Sequence, residues 1–375
     1  MAGLYIHIPF CRSRCIYCAF FSTTLAPAWQ DRYVDALCSE MRMRPSDQPL
    51  TTIYLGGGTP SLLSRENLQR LFTCIEEIYD VSALREVTLE CNPDDVTPAF
   101  CQTLRLLPVN RVSLGAQTFS DQRLRFLGRR HTAAQVDSAV SLLRQFGISN
   151  ISIDLMFGFP SQTLAQWEAD VSHALTLRPQ HLSAYALTIE PGTVLFKRIE
   201  KGELKIENEA DETSRQMYEL LIDRLAAAGY DHYEISNWAL PGYRSRHNSS
   251  YWHEEPYLGI GAAAHSYDRQ SRSWNVSHLS RYVLAIEQGR LPSEGEPIDA
   301  ATRYNDLIAT ALRTREGIAV DSVPSPFRQH LLKSARRALQ AGLLTLADTP
   351  AGTALRLTRQ GLFVSDSVMT DLIYV

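Results

Sequence analysis

Three cysteines, Cys11, Cys15 and Cys18, fall within eight residues in the stretch YIHIPFCRSRCIYCAF. Thiolates at that spacing can hold an iron-sulfur cluster, and because such clusters ordinarily take four protein ligands, a trio leaves one iron open to something else. An open iron is a reaction site. A zinc site or a group of buried thiols would also use cysteines. A tetrahedral zinc set needs further ligands, and no CxxC or CxxH pair follows to supply them. Of the other cysteines, Cys38, Cys74 and Cys101 lie in helix-like segments and Cys91 ends a strand-like one, as ordinary core or surface thiols do.

The elements that must carry this loop alternate in type. Runs rich in Val, Ile, Leu and Tyr (LYIHI, TTIYLGGG, REVTLECN, NRVSLGAQ, NISIDLMFG, HLSAYALTIE) are separated by amphipathic helical patterns. Such alternation predicts a parallel sheet built from βα units. After Ser64, a suitable N-cap, apolar residues recur at Leu68, Leu71, Phe72, Ile75 and Ile78, one face of a 3.6-residue period. Six such units over roughly residues 1–190 suit an incomplete barrel; periodicity alone leaves a closed eight-unit barrel or a doubly wound sheet open.

Chemistry in parallel α/β folds collects at the carboxyl ends of strands. There the chain places Gly56, Gly57, Gly58, Thr59 and Pro60 after the second strand, then Glu90, Gln117 and Asp154 after later ones. Glycines let backbone approach a ligand closely, although a bare glycine turn is the commoner use. Each polar residue alone is equally a helix cap or a solvated edge. Asp154 has the sharpest rationale, since a carboxylate accepts from ribose hydroxyls.

The CxxxCxxC spacing with an aromatic residue, Tyr17, just before the last cysteine resembles the radical SAM superfamily. The resemblance implies an incomplete (βα)6 barrel, a [4Fe-4S] cluster on Cys11, Cys15 and Cys18, and S-adenosylmethionine on the open iron. It further implies SAM contacts from Tyr5, Tyr17, Gly57, Gly58, Thr59, Glu90, Gln117, Arg129, Asp154 and Ala186, with Arg130 standing beside Arg129. An electron donor such as a flavodoxin or ferredoxin follows from the same chemistry. YIHIPFC, YLGGGTPSLL, SLGAQTF, IDLMFGFP and LTIEPGT together are similar to oxygen-independent coproporphyrinogen III oxidases and to the related haem-chaperone family HemW. The oxidases carry a fourth cysteine two residues past the third, where this chain has Phe20, and an N-terminal extension ahead of the Tyr5 motif. Both differences imply the chaperone branch, with the oxidative decarboxylation of coproporphyrinogen III as the alternative activity.

RHNSSYW, residues 246–252, reproduces the HNxxYW motif of the chaperone branch. It implies haem as cargo, with His247 as its ligand, Asn248 orienting that histidine, and Tyr251 and Trp252 as aromatic surface; taken alone, such a histidine is more often a hydrogen-bonded structural residue. His265 in GIGAAAHSY is the next candidate, held in reserve because its segment reads as a tight turn near the SAM pocket. The expected partners are haem and a haem-acceptor protein.

The chain has 375 residues, 45% hydrophobic and 21% charged, enough for one large core and a smaller domain. A net charge of -4 offers no electrostatic reason to expect nucleic acid. No signal peptide, transit peptide or apolar membrane span is legible, which predicts a cytoplasmic protein, a monomer or a weak dimer. The expected organisation is a barrel over 1–200, an extension carrying the HNxxYW segment over 201–290, a linker at GRLPSEGEP, and a winged-helix-like domain over 298–375. A long helix is expected over 208–228, ending before Gly229, and helices over 300–314 and 326–341. Arg328, Lys333, Arg336 and Arg337 read as a solvated basic face rather than a DNA surface.

Overall fold

All six strand-like runs become strands, paired side by side in chain order and all parallel: β1 (Gly3–Ile8), β2 (Thr52–Gly57), β3 (Glu86–Cys91), β4 (Arg111–Gln117), β5 (Asn150–Phe157) and β6 (His181–Ala186). The computed structural model describes residues 3–25, 28–204, 210–350 and 352–375. Among them β1 and β6 do not pair with each other, so the barrel is incomplete. Helices over Ala28–Met43, Arg65–Ile78, Pro98–Leu104, Ala133–Gln145 and Leu164–Thr176 cover the outside of this sheet. The second begins as its sequence dictates: the Ser64 hydroxyl accepts from Asn67 N–H, and Leu68, Leu71, Phe72 and Ile75 are buried.

Strand alternation decides what faces inward. On β4, Val112, Leu114 and Ala116 pack in the apolar core, whereas Arg111, Ser113, Gly115 and Gln117 line the barrel interior. One side of this strand is core and the other is site.

The sheet extends past both edges of the barrel. Beside β6 run β7 (Asp231–Glu234) and β8 (Asn237–Ala239), with β8 antiparallel to β6. Beside β1 lies β9 (Tyr257–Ile260), parallel to it, followed by β10 (His265–Tyr267), β11 (Ser271–Asn275) and β12 (Ser293–Pro297) in antiparallel succession. Twelve strands thus form one sheet. β12 corrects the expectation of a linker at GRLPSEGEP. Its residues are all exposed, which explains the polar composition, but it is an edge strand whose Glu296 lies opposite Arg272 and pairs with it at 2.7 Å.

The long helix runs Ala210–Ala227; the expected start at 208 lies outside the described residues. The buried Trp167 indole N–H donates to the Met217 carbonyl at 2.9 Å, tying this helix to Leu164–Thr176. The described residues from 300 onward form a separate small core around Ile308, Leu331 and Leu355, with helices Ala300–Ala311, Phe327–Ser334 and Arg336–Gln340 and a three-stranded sheet, β13 (Ile318–Ala319), β14 (Leu344–Thr349) and β15 (Gly352–Leu357). Among the described residues no helix is long and apolar enough to cross a membrane.

Candidate functional site

The cysteine loop leaves the carboxyl end of β1 and folds over the barrel mouth. Its three thiols are half-buried, and no cysteine is in a disulfide among the described residues. Burial pushes the Cys11 and Cys18 thiols up, and the neighbouring trio thiols push them further. Such crowding resists three free thiolates and favours a cation that binds them. Among the described residues, no three His, Cys, Asp or Glu side chains converge tightly enough to enclose a single metal ion. A four-iron cluster places its cysteines on separate irons, and three half-buried thiols on one loop suit that arrangement. Two groups already aim at the sulfurs: the Thr59 hydroxyl at Cys11 Sγ, 3.6 Å, and the Arg129 guanidinium at Cys15 Sγ, 3.7 Å.

Below the loop the barrel encloses a cavity of about 520 Å³, within the usual size of small-molecule sites. Cys18, Tyr17, Gly58, Thr59, Glu90, Gln117, Arg129, Asp154 and Ala186 all line it. The fold therefore gathers the expected SAM-contacting positions from seven segments, all but Tyr5 and Gly57. Those two stand behind the wall. Tyr5 O–H pairs with His7 Nδ1 at 3.0 Å, and Tyr5 faces a second cavity instead. Gly57 has φ +105°, where a Cβ would run into the His7 ring, and its N–H donates to Glu90 Oε2 at 3.0 Å. Gly58 does face the cavity, and a Cβ there would lie 2.7 Å from the Ile8 carbonyl oxygen, so this turn must stay bare.

The polar residues divide the work. Glu90 accepts from Tyr54 O–H at 2.6 Å and braces the glycine turn, and burial raises its pKa to about 7. Asp154 accepts from Ser113 O–H at 3.1 Å, and burial pushes its pKa up as well. Gln117 is a non-glycine residue at φ 68°, at a register shift between β4 and β5; strain of this kind concentrates at functional sites. Arg129 is the arginine that turns inward, donating to the Asn92 side chain at 2.7 Å and to the Gly115 carbonyl at 2.5 Å. Arg130 instead pairs with Asp94. Sequence reasoning missed Arg111, Asn92, Tyr54 and Ser183, which also line the cavity; Asn248, expected to orient His247, lines it too. Arg111 was detectable, because it lies two, four and six residues before Ser113, Gly115 and Gln117 on one strand face. It is 1% exposed and its Nε has no partner among the described residues.

The HNSSYW segment is a short helix, Arg246–Trp252, whose first N–H groups donate to the Glu86 carboxylate at 2.9 and 3.0 Å. Its side chains scatter to different tasks. Asn248 reaches the barrel cavity and Tyr251 the second cavity. Trp252 lies under the Arg313 guanidinium of the C-terminal unit, 4.9 Å from the ring centre, and Arg313 also pairs with buried Glu234. His247, expected as a haem ligand, is wholly enclosed: one ring nitrogen bonds Thr52 Oγ1 at 2.9 Å and the other Tyr251 O–H at 2.8 Å. Burial lowers its pKa to about 3. In this arrangement neither nitrogen is open to an iron, because the floor of β1 and β2 packs against the ring.

Comparison with known proteins matches residues 5–174 to the radical SAM superfamily. The heme chaperone HemW of Lactococcus lactis is 38% identical over 324 residues, covering 86% of this chain and 84% of the relative. That of Mycobacterium tuberculosis is 34% identical, covering 99% and 94%. The chain belongs to the HemW family of the radical SAM superfamily. A structure of coproporphyrinogen III oxidase (HemN) from Escherichia coli, described as a radical SAM enzyme, shares the fold along the whole chain: TM-score 0.81, 20% identity, 99% of this chain and 90% of that one. Membership of the superfamily implies a [4Fe-4S] cluster and S-adenosylmethionine. Within the HemW fold, the barrel cavity with its overhanging thiols is the place whose chemistry suits both.

Proposed function

We propose that this chain is a haem carrier, which binds haem and passes it to an acceptor protein, and which uses a cluster on Cys11, Cys15 and Cys18 with S-adenosylmethionine in the barrel cavity. The observation that carries this reading is kinship: relatives named heme chaperone HemW align over most of their own length and most of this chain. Phe20, in the place of the oxidases' fourth cysteine, supports it.

When bound, the cluster supplies an electron to the sulfonium, and a flavodoxin or ferredoxin is a suitable source. The chain's own residues prepare the place. Thr59 and Arg129 direct hydrogen bonds at thiol sulfurs, which steadies their negative charge. Glu90 and Asp154 would offer carboxylates to the amino N–H groups and ribose hydroxyls, and Arg129 a cation to the carboxylate. Tyr17 closes the cavity beside Cys18.

The test is an anaerobic incubation of the reconstituted protein with reductant, S-adenosylmethionine and coproporphyrinogen III, alongside a haem titration. Haem binding, with porphyrinogen propionates left intact, is the expected result. Decarboxylation coupled to 5'-deoxyadenosine release would instead make the protein an oxidase.

A pH dependence follows from Glu90. Its pKa of about 7 lies above the ordinary carboxyl range, so the folded protein holds a proton there that the unfolded chain has lost. Stability therefore declines as pH rises from about 4.5 to about 7. An amino group donating its N–H bonds is held better by the ionised form, so SAM affinity rises through the same upper limit and levels above it. Glu90→Gln should bind SAM about 10-fold or more weakly above pH 7, with a flat pH profile. Calorimetry across pH checks this, and an unchanged slope in the variant would remove Glu90 from the site.

A further inference from the structure

On the other side of the cysteine loop lies a second cavity, of about 680 Å³. Ala19 and Phe20 line both cavities, so this stretch of the loop is their shared wall. Phe20, Phe21, Tyr251 and Tyr257 give the second cavity aromatic sides, and Phe20 is 69% exposed. Tyr251 and Tyr257 are fixed edge to face, ring centres 4.5 Å apart. An aromatic slot of this kind suits a flat conjugated ligand.

Two histidines line the same cavity, and they differ; one is His265, whose segment was expected near the SAM pocket and instead lies on this side of the cysteine loop. His7 uses both ring nitrogens, one on Tyr5 O–H at 3.0 Å and the other on the Phe21 carbonyl at 2.9 Å. The His265 ring has no hydrogen-bond partner among the described residues and lies beside Trp274, centres 6.0 Å apart. Crowding by its surroundings, then the charge of Arg272, lower its pKa, so the ring is neutral at pH 7 and able to ligate. Arg14 also lines the cavity and makes no ion pair among the described residues.

We infer that this second cavity is the haem site, with His265 as the axial ligand to iron, the aromatic side chains against the macrocycle and Arg14 facing its propionates. The inference rests on the haem-carrier reading and adds the place and the ligand. It gives the HNSSYW helix a part in haem binding through Tyr251, with His247 behind it holding the tyrosine hydroxyl. It also sets the cargo across one loop from the cluster, so that events in the barrel cavity reach haem through Ala19 and Phe20. His265 follows the turn after β9, brought back against β1 by sheet pairing.

Hemin is to be titrated into the whole chain with its cluster reconstituted, reading the Soret band and the iron–histidine stretch by resonance Raman. His265→Ala should bind about 10-fold or more weakly and lose the iron–histidine signature. His265→Gly should regain the wild-type spectrum on addition of free imidazole. Arg14→Glu should weaken binding several-fold with the spectrum unchanged. Wild-type affinity and an intact iron–histidine signature in His265→Ala would overturn the assignment while leaving the haem-carrier reading in place; loss of that signature in His247→Gln alone would return the ligand to His247. If the wild type binds no hemin at all, the carrier reading fails, and the inference with it.

Discussion

Cys15→Ala should abolish the visible absorption of the reconstituted protein and bring its iron content to background, with far-ultraviolet circular dichroism unchanged. A cluster held by three thiolates has no spare protein ligand, so losing one uncovers a second iron and the assembly comes apart. Cys15 is the most telling of the three. The Arg129 guanidinium points at its sulfur, 3.7 Å away, while the same side chain holds the Gly115 carbonyl and Asn92, so the sulfur is tied to the barrel wall. The fold does not depend on the thiol, which sits half-buried in a loop. Cys101→Ala, in the core behind the barrel, is the control and should keep its iron. A full four-iron cluster in Cys15→Ala would show that the trio is not the ligand set.

Glu40→Ala should cost about 3–5 kcal/mol of stability, the scale for removing one member of a buried charged network. Glu40 is fully buried on the helix Ala28–Met43 and holds four groups together. Its Oε2 accepts from Gly261 N–H at 2.8 Å and Tyr282 O–H at 2.6 Å; its Oε1 accepts from the Asn275 amide at 2.8 Å and the Arg44 guanidinium at 3.1 Å. Three of these belong to the extension that follows β9, so one carboxylate clasps the extension to the barrel. Alanine leaves buried donors without acceptors and an arginine without its counter-ion. Glu40→Gln keeps the side-chain volume and one of the two accepting oxygens, with a donor in place of the other, and should lose less than alanine. Urea unfolding measures both, and a loss under about 1 kcal/mol for the alanine variant would show that water or side-chain shifts replace the clasp. Because the clasp anchors the wall that carries His265, hemin affinity should fall in the alanine variant too.

The cysteine loop, the six parallel units and the cluster chemistry were legible in the sequence because each depends on near neighbours. A CxxxCxxC loop is local, and strand or helix period is read within a dozen residues. The second face of β4 was equally legible, since Arg111 keeps step with Gln117, although only the strand's end drew notice. Tertiary structure alone decided the rest. Arg129 and Arg130 are adjacent and chemically identical; which of them enters the barrel depends on the Gly115 carbonyl and Asn92 on one side and Asp94 on the other. GRLPSEGEP has the composition of a linker, yet pairing with β11 makes part of it a strand. His247 sits in an intact motif, but Thr52, distant in sequence, takes one of its nitrogens, whereas His265 keeps both of its own. Residue type and spacing determined which chemistry this chain can carry. Which histidine, arginine or tyrosine meets a ligand was left to packing, because burial and hydrogen-bond partners come from segments that only the folded sheet brings together.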